Sequence, residues 1–264
     1  MSTPRLLPEL LDYIVDSLRN EPDDLKSCCL VSKSWIPRTR THLFAQVAFS
    51  GKRLRSWKVS FPDPSTSPAC YTKTLLIRLP LPVTSADAEE GGWIPTFSRV
   101  TFFGVDDPLW HGDKRAASLA LFHGFSRTLK SLHVACGVFQ PSRILYLVHS
   151  FPLLKNLAFA SRAIDTLASN FDEQLITTQS PTPSRFTGSL KLSLEGGMDP
   201  FAHHLLSSPG SIHFRRLDLQ WCREKDVLST SVLVEECCST LESLRINVRW
   251  PICTSVWHPN LSHQ

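Results

Sequence analysis

Nowhere do the 264 residues run to 18 consecutive apolar side chains, and Met1 to Arg5 lead into no apolar export core. We therefore expect an intracellular protein, cytoplasmic or nuclear, with no membrane partner. An excess of one charge is missing too. The 28 Lys+Arg against 24 Asp+Glu leave a formal +4, too mild to demand a nucleic-acid partner. The chain also lacks C-x-x-C, G-x-S-x-G, a glycine-rich phosphate loop and H-E-x-x-H. Without these, no run of residues singles out a nucleophile, a nucleotide site or a closed metal site.

The eight cysteines are Cys28, Cys29, Cys70, Cys136, Cys222, Cys237, Cys238 and Cys253. Neighbours such as Cys28 and Cys29 point apart on a helix and do not share a tetrahedral zinc, so we read reduced thiols serving as small apolar side chains. His203 and His204 with Cys222 or Asp218, and Asp107 with His111 and Asp113, lack the spacing of a known metal site. Adjacent histidines diverge by about 100° on a helix. No metal and no cofactor are expected.

What is present falls into two textures. Over 6–44 the pattern is helical. Pro8 suits a first helical residue, and Leu11, Ile14, Val15 and Leu18 recur on one face until Asn20 and Pro22. Asp23 and Asp24 suit the start of a second helix burying Leu25 and Cys28, with Cys29 or Leu30; Ser32 suits the cap of a third carrying Trp35, Ile36, Leu43 and Phe44. Three such short helices must pack together, and they leave apolar area for a partner.

Beyond residue 45 short strands recur: 74–79, 98–104, 129–135, 154–160, 190–196, 214–222 and 241–248, each with apolar residues at period two. Aligned on Ile77, Val100, Leu132, Leu157, Leu192, Leu217 and Leu244, they step by roughly 23 to 35 residues, near or somewhat beyond the leucine-rich-repeat range. Helix-capable segments lie between them at 113–126, 141–151, 201–208 and 231–241, and proline-serine loops at 62–68 and 180–184. Units of this kind stack because none covers its own apolar side. The expected fold is α/β: a three-helix module over 1–50, then a leucine-rich-repeat-like solenoid over 51–264.

The opening residues Leu7-Pro8-Glu9-Leu10-Leu11, Ile14, Leu18, Leu25, Cys28, Leu30-Val31-Ser32, Trp35, Arg38 and Leu43-Phe44 resemble an F-box. Joined to degenerate repeats, the chain looks like the F-box proteins abundant in mushroom-forming fungi, although its repeats lack an asparagine ladder. The resemblance implies binding to the Skp-type adaptor of a cullin-RING ubiquitin ligase through Leu7, Pro8, Leu11, Ile14, Leu25 and Val31, with Trp35 and Leu43 packing the module internally. It also implies a protein substrate held by the repeats and no bond chemistry in this chain.

Residues alternating with the buried ones would face the substrate: Arg78, Thr101, His133, Ala158, Ser193, Asp218, Gln220, Arg245 and Asn247. A basic cluster at 52–58 around Trp57 reads as a solvated edge. Two rivals remain. One is a binding scaffold whose helical head only caps the array; the other is an enzyme with titratable groups converging near His111, His133 or Cys136.

Overall fold

Proline decides where the first helices begin. In the computed structural model, which describes residues 7–78, 96–107, 127–139, 151–164, 187–195, 197–207 and 213–248, Pro8 opens α1 (Pro8–Ser17) and Pro22 opens α2 (Pro22–Val31). Pro37 is the second residue of α3 (Ile36–Leu43). At these positions the missing N–H would have no helical acceptor anyway. Asp23 and Asp24 lie inside the first turn of α2 and act there by charge, not as side-chain caps. Ser32 does not cap α3 either: its Oγ accepts from Ser34 N at 3.3 Å, and the helix begins only at Ile36.

Val15 of α1, Leu25 and Cys28 of α2 and Thr39 of α3 form the buried interior of this head. Asp16 joins α1 to α3, accepting from Arg38 Nε at 2.6 Å, from the Arg38 terminal nitrogen, and lying 2.8 Å from His42 Nε2.

After the head come β1 (Gln46–Phe49), α4 (Gly51–Ser60) and two 3₁₀ turns, Pro64–Thr66 and Pro68–Tyr71. The turns occupy the first of the two expected proline-serine loops; the second, at 180–184, lies outside the described residues. The strands continue as β2 (Thr74–Arg78), β3 (Phe102–Asp107), β4 (Ser131–Phe139), β5 (Asn156–Ile164) and β6 (Ser189–Leu194). Then come α5 (Asp199–Ser207), β7 (Arg216–Cys222), α6 (Val227–Cys237) and β8 (Ser243–Val248). Both α5 and α6 start before the expected 201–208 and 231–241; the segments 113–126 and 141–150 lie outside the described residues.

All eight strands are parallel and lie side by side in chain order. Gln46, Thr74, Phe102, Ser131, Asn156, Ser189, Arg216 and Ser243 are successive register partners. The step between layers is nearly even, shortest from Ser131 to Asn156 and longest from Asn156 to Ser189. The strand β1 falls inside the expected module 1–50 yet pairs with β2, so the helical head ends at Phe44.

The layers lock at the N-terminal ends of the strands. One carbonyl accepts two amides of the next layer: Ala45 from Lys73 and Thr74, Lys73 from Thr101 and Phe102, Thr101 from Lys130 and Ser131, Lys130 from Lys155 and Asn156. Thr128 and Thr240 add hydroxyl donors to the carbonyls of Val100 at 2.7 Å and Phe214 at 3.2 Å.

This register sets which side chains are inside. Ahead of four of the strands a buried apolar residue stands two positions before the first strand residue: Val100, Leu129, Leu154 and Phe214. The second and fourth strand residues follow it inward: Leu75 and Ile77, Phe103 and Val105, Leu132 and Val134, Leu157 and Phe159, Leu190 and Leu192, Leu217 and Leu219.

Thr101 therefore falls before β3 and not on its open face, which Phe102, Gly104 and Asp106 supply instead. In β8, the last strand in the sheet order, the equivalent Leu244 and Ile246 stay 43% and 42% exposed.

The head meets the sheet through aromatic rings. Trp57 of α4 lies 5.9 Å from Phe44 at the end of α3, 5.3 Å from Phe49 of β1, 4.9 Å from Phe61 and 5.9 Å from Phe97. Edge and tilted contacts of this kind add to their apolar burial. The tryptophan inside the basic cluster thus packs against the core and is not a platform for a base.

Candidate functional site

Two surfaces remain uncovered. On α1 the inward side carries Val15, while Leu7, Leu10 and Ile14 form a second, outward stripe at helical spacing and are 64%, 49% and 38% exposed. Pro8 is exposed beside Leu7, and Leu11 is half-buried between the two stripes. At the end of α2, Leu30 and Val31 are 89% and 68% exposed. Among the six residues expected to dock, Leu25 is the exception. It is buried in the head with Cys28, three residues on along the same side of α2. Trp35 and Leu43 are half-buried, consistent with internal packing.

The second surface is the open face of the sheet, made by the first, third and fifth strand residues. Arg78, His133, Ala158, Ser193, Asp218, Gln220, Arg245 and Asn247 stand in this set; Ser193 is nearly covered, while Arg78, His133, Arg245 and Asn247 are exposed. Between them the floor is small, with Gly104, Ala135, Ala158 and Ala160. A Cβ on Gly104 would meet Leu76 Cδ2 at 2.5 Å, so the absent side chain lets Leu76 lean across β3.

Two shallow clefts result. One, about 400 Å³, lies toward the C-terminal halves of the strands between Arg78, Asp106, His133 and Lys191; the other, about 430 Å³, runs from Phe102 and His133 to Asp218 and Arg245. Arg78 and Asp106 are 4.0 Å apart and well exposed, while Lys191 Nζ lies 3.6 Å from Asp218 Oδ2. Asp218 Oδ1 is covered and has no hydrogen-bond partner among the described residues.

Partial burial, and then the Lys191 ammonium, hold the His133 imidazole below its ordinary value, so it presents a neutral ring at pH 7. Its ring sits edge-on to Phe102 at 5.3 Å.

The Cys136 thiol and the His133 imidazole do not converge. Cys136 faces the buried side of β4 and His133 the open side. Burial pushes the thiols of Cys28, Cys222 and Cys237 up, the opposite of an activated nucleophile. None of the described cysteines is in a disulfide.

No group of three or more His, Cys, Asp or Glu side chains with metal-binding geometry occurs among the described residues; His111, Asp113 and the side chains of Asp107 and His204 lie outside them. No helix among the described residues is long and apolar enough to cross a membrane.

Sequence reasoning missed Phe102, Gly104, Asp106 and Lys191 on the open face. The spacing apolar-x-x-apolar-x-apolar, shared by Val100-Phe103-Val105 and Leu129-Leu132-Val134, carries the signal that would have found them. The chain matches no protein-family model and no curated protein.

Proposed function

We propose that this chain is a substrate-recruiting F-box subunit of a cullin-RING ubiquitin ligase, its head bound to the Skp-type adaptor and its open sheet face bound to a protein substrate. The observation that carries the reading is the outward stripe Leu7, Leu10 and Ile14 with Val31, bare on a head whose other side is already packed. Contiguous apolar surface of this kind marks an interaction site. Burying a Leu or Ile side chain contributes about 1.5–3 kcal/mol, so a few anchors can dominate the contact.

The eight parallel strands in chain order, stepping at nearly even intervals, support the leucine-rich-repeat-like solenoid of the same reading. Such an array holds a substrate at high effective concentration near a conjugating enzyme that the partner subunits supply. The chain itself then makes and breaks no bonds.

Calorimetric titration of a purified Skp-type adaptor with the full chain tests this. Micromolar or tighter binding is expected, weakened at least about tenfold by the double change Leu7→Ala, Pro8→Ala. An unchanged urea midpoint in that variant shows that the fold is intact.

The rings joining Phe44 to Trp57 and Phe49 favour a second reading, in which the head only caps the array of a protein-binding scaffold. Absence of adaptor binding by the wild-type chain would select it.

A further inference from the structure

The open face is not evenly charged. Around the 430 Å³ cleft, Lys191, Arg216 and Arg245 line the walls, and Lys130, Lys155 and Arg215 stand at the strand starts beside it, all exposed. The acids of this region are Asp218, in the cleft, and Glu242, which lies 3.5 Å from Arg215. Among the described residues, Lys130, Lys155, Arg216 and Arg245 have no ion-pair partner. Parallel strands stand about 4.8 Å apart, so the cations from β4 to β8 spread over roughly 20 Å. That length suits a short extended segment better than a point ligand.

We infer that this cleft takes an acidic, extended segment of the substrate protein, with carboxylates against Lys191, Arg216 and Arg245 and an apolar side chain against the Phe102–His133 ring pair. The inference rests on the reading of the open face as the substrate surface. Two features select a peptide over a nucleic acid. Ser131, Ala158 and Ser189 make a small, uncharged floor that lets a backbone approach closely. The ring pair gives one apolar contact and not the series of stacking platforms that successive bases need.

The test is fluorescence anisotropy with the full chain and three labelled probes: a short Glu- and Asp-rich peptide with one central Phe, the same peptide with Lys in place of the acids, and single-stranded DNA of matching charge. The acidic peptide is expected to bind, and to lose at least about tenfold in affinity against the triple variant Lys191→Glu, Arg216→Glu, Arg245→Glu. Phe102→Ala is expected to weaken it severalfold.

Equal binding of the acidic and basic peptides, no change in the triple variant, or tighter binding of DNA would each overturn the inference. All three reversed residues are exposed, so the variant's urea midpoint serves as a folding check. Adaptor titration of the same variant separates this inference from the ligase reading: unchanged adaptor affinity with lost peptide affinity supports both. Peptide binding by a wild-type chain that ignores the adaptor sinks the ligase role alone.

Discussion

Arg38 clamps α3 to α1 through Asp16, its Nε donating to Oδ1 at 2.6 Å while a terminal nitrogen donates to Oδ2. The hydrogen bonds from Arg38, and after them His42, hold the Asp16 carboxyl well below its ordinary 3.8. A group depressed in the folded state binds fewer protons there than in the unfolded chain. Its stabilisation is therefore complete above pH 3.8 and fades as the pH falls further. Asp16→Asn should lower the urea midpoint at pH 7, and the gap to wild type should narrow progressively below about pH 4. A gap that stays constant with pH would mean that the clamp acts by shape and not by charge. Its size is limited by solvent, since the Asp16 side chain is 39% exposed.

Asp226 does a comparable job out of water. It is 1% exposed and sits just before α6, with Oδ1 accepting from Met198 N at 2.8 Å and Oδ2 from Arg223 N at 2.9 Å. Replacing it by Ala leaves the covered Met198 amide and the part-buried Arg223 amide without acceptors and should cost about 1–3 kcal/mol in urea unfolding. Gly197, at φ 109° with Asp226 Oδ1 3.1 Å from where a Cβ would be, should lose about 1 kcal/mol or more as Gly197→Ala.

Leu217 and Leu244 are register partners in opposite surroundings, 1% and 43% exposed. Leu217→Ala should cost about 3 kcal/mol by opening a cavity, and Leu244→Ala under about 1 kcal/mol. Equal losses would mean that β8 is covered in solution.

Gly104→Ala probes the open face without touching its charges. The clash is with the tip of Leu76, a 41% exposed side chain that can rotate aside, so stability should change by less than about 1 kcal/mol. The displaced tip enters the 400 Å³ cleft, which Leu76 lines. A crystal structure of the variant should find Leu76 in a new rotamer; an unmoved Leu76 with a shifted β3 would contradict this.

Much of the sheet was legible because a half-buried strand writes its two sides into alternate residues, as in Leu132-His133-Val134 and Leu217-Asp218-Leu219. The misreading at Thr101 came from a stretch with two possible phases. Val100 and Phe102 alternate as well as Phe103 and Val105 do, and local pattern cannot choose between them. The neighbouring strands choose: placing Phe103 beside Leu75 and Leu132 leaves Phe102 half-exposed and puts Gly104 under Leu76.

In the head, helical spacing on α2 picked out Leu25 and Cys28 as the inward side, and both are buried. On α1 it gave the one face Leu11, Ile14, Val15 and Leu18, of which Val15 alone is fully buried while Ile14 turns outward with Leu7 and Leu10. The clamp of Asp16 by the distant Arg38 and His42 had no local signature at all.

Because every strand is bonded only to its neighbours in the chain, no seam of the sheet waits for a distant segment to be made. Each new strand emerging during synthesis finds its template already in place, and closes a loop no longer than the one from Asn156 to Ser189 to reach it. Assembly can then keep pace with translation, the growing edge advancing one strand at a time instead of a whole unsatisfied sheet being offered to aggregation.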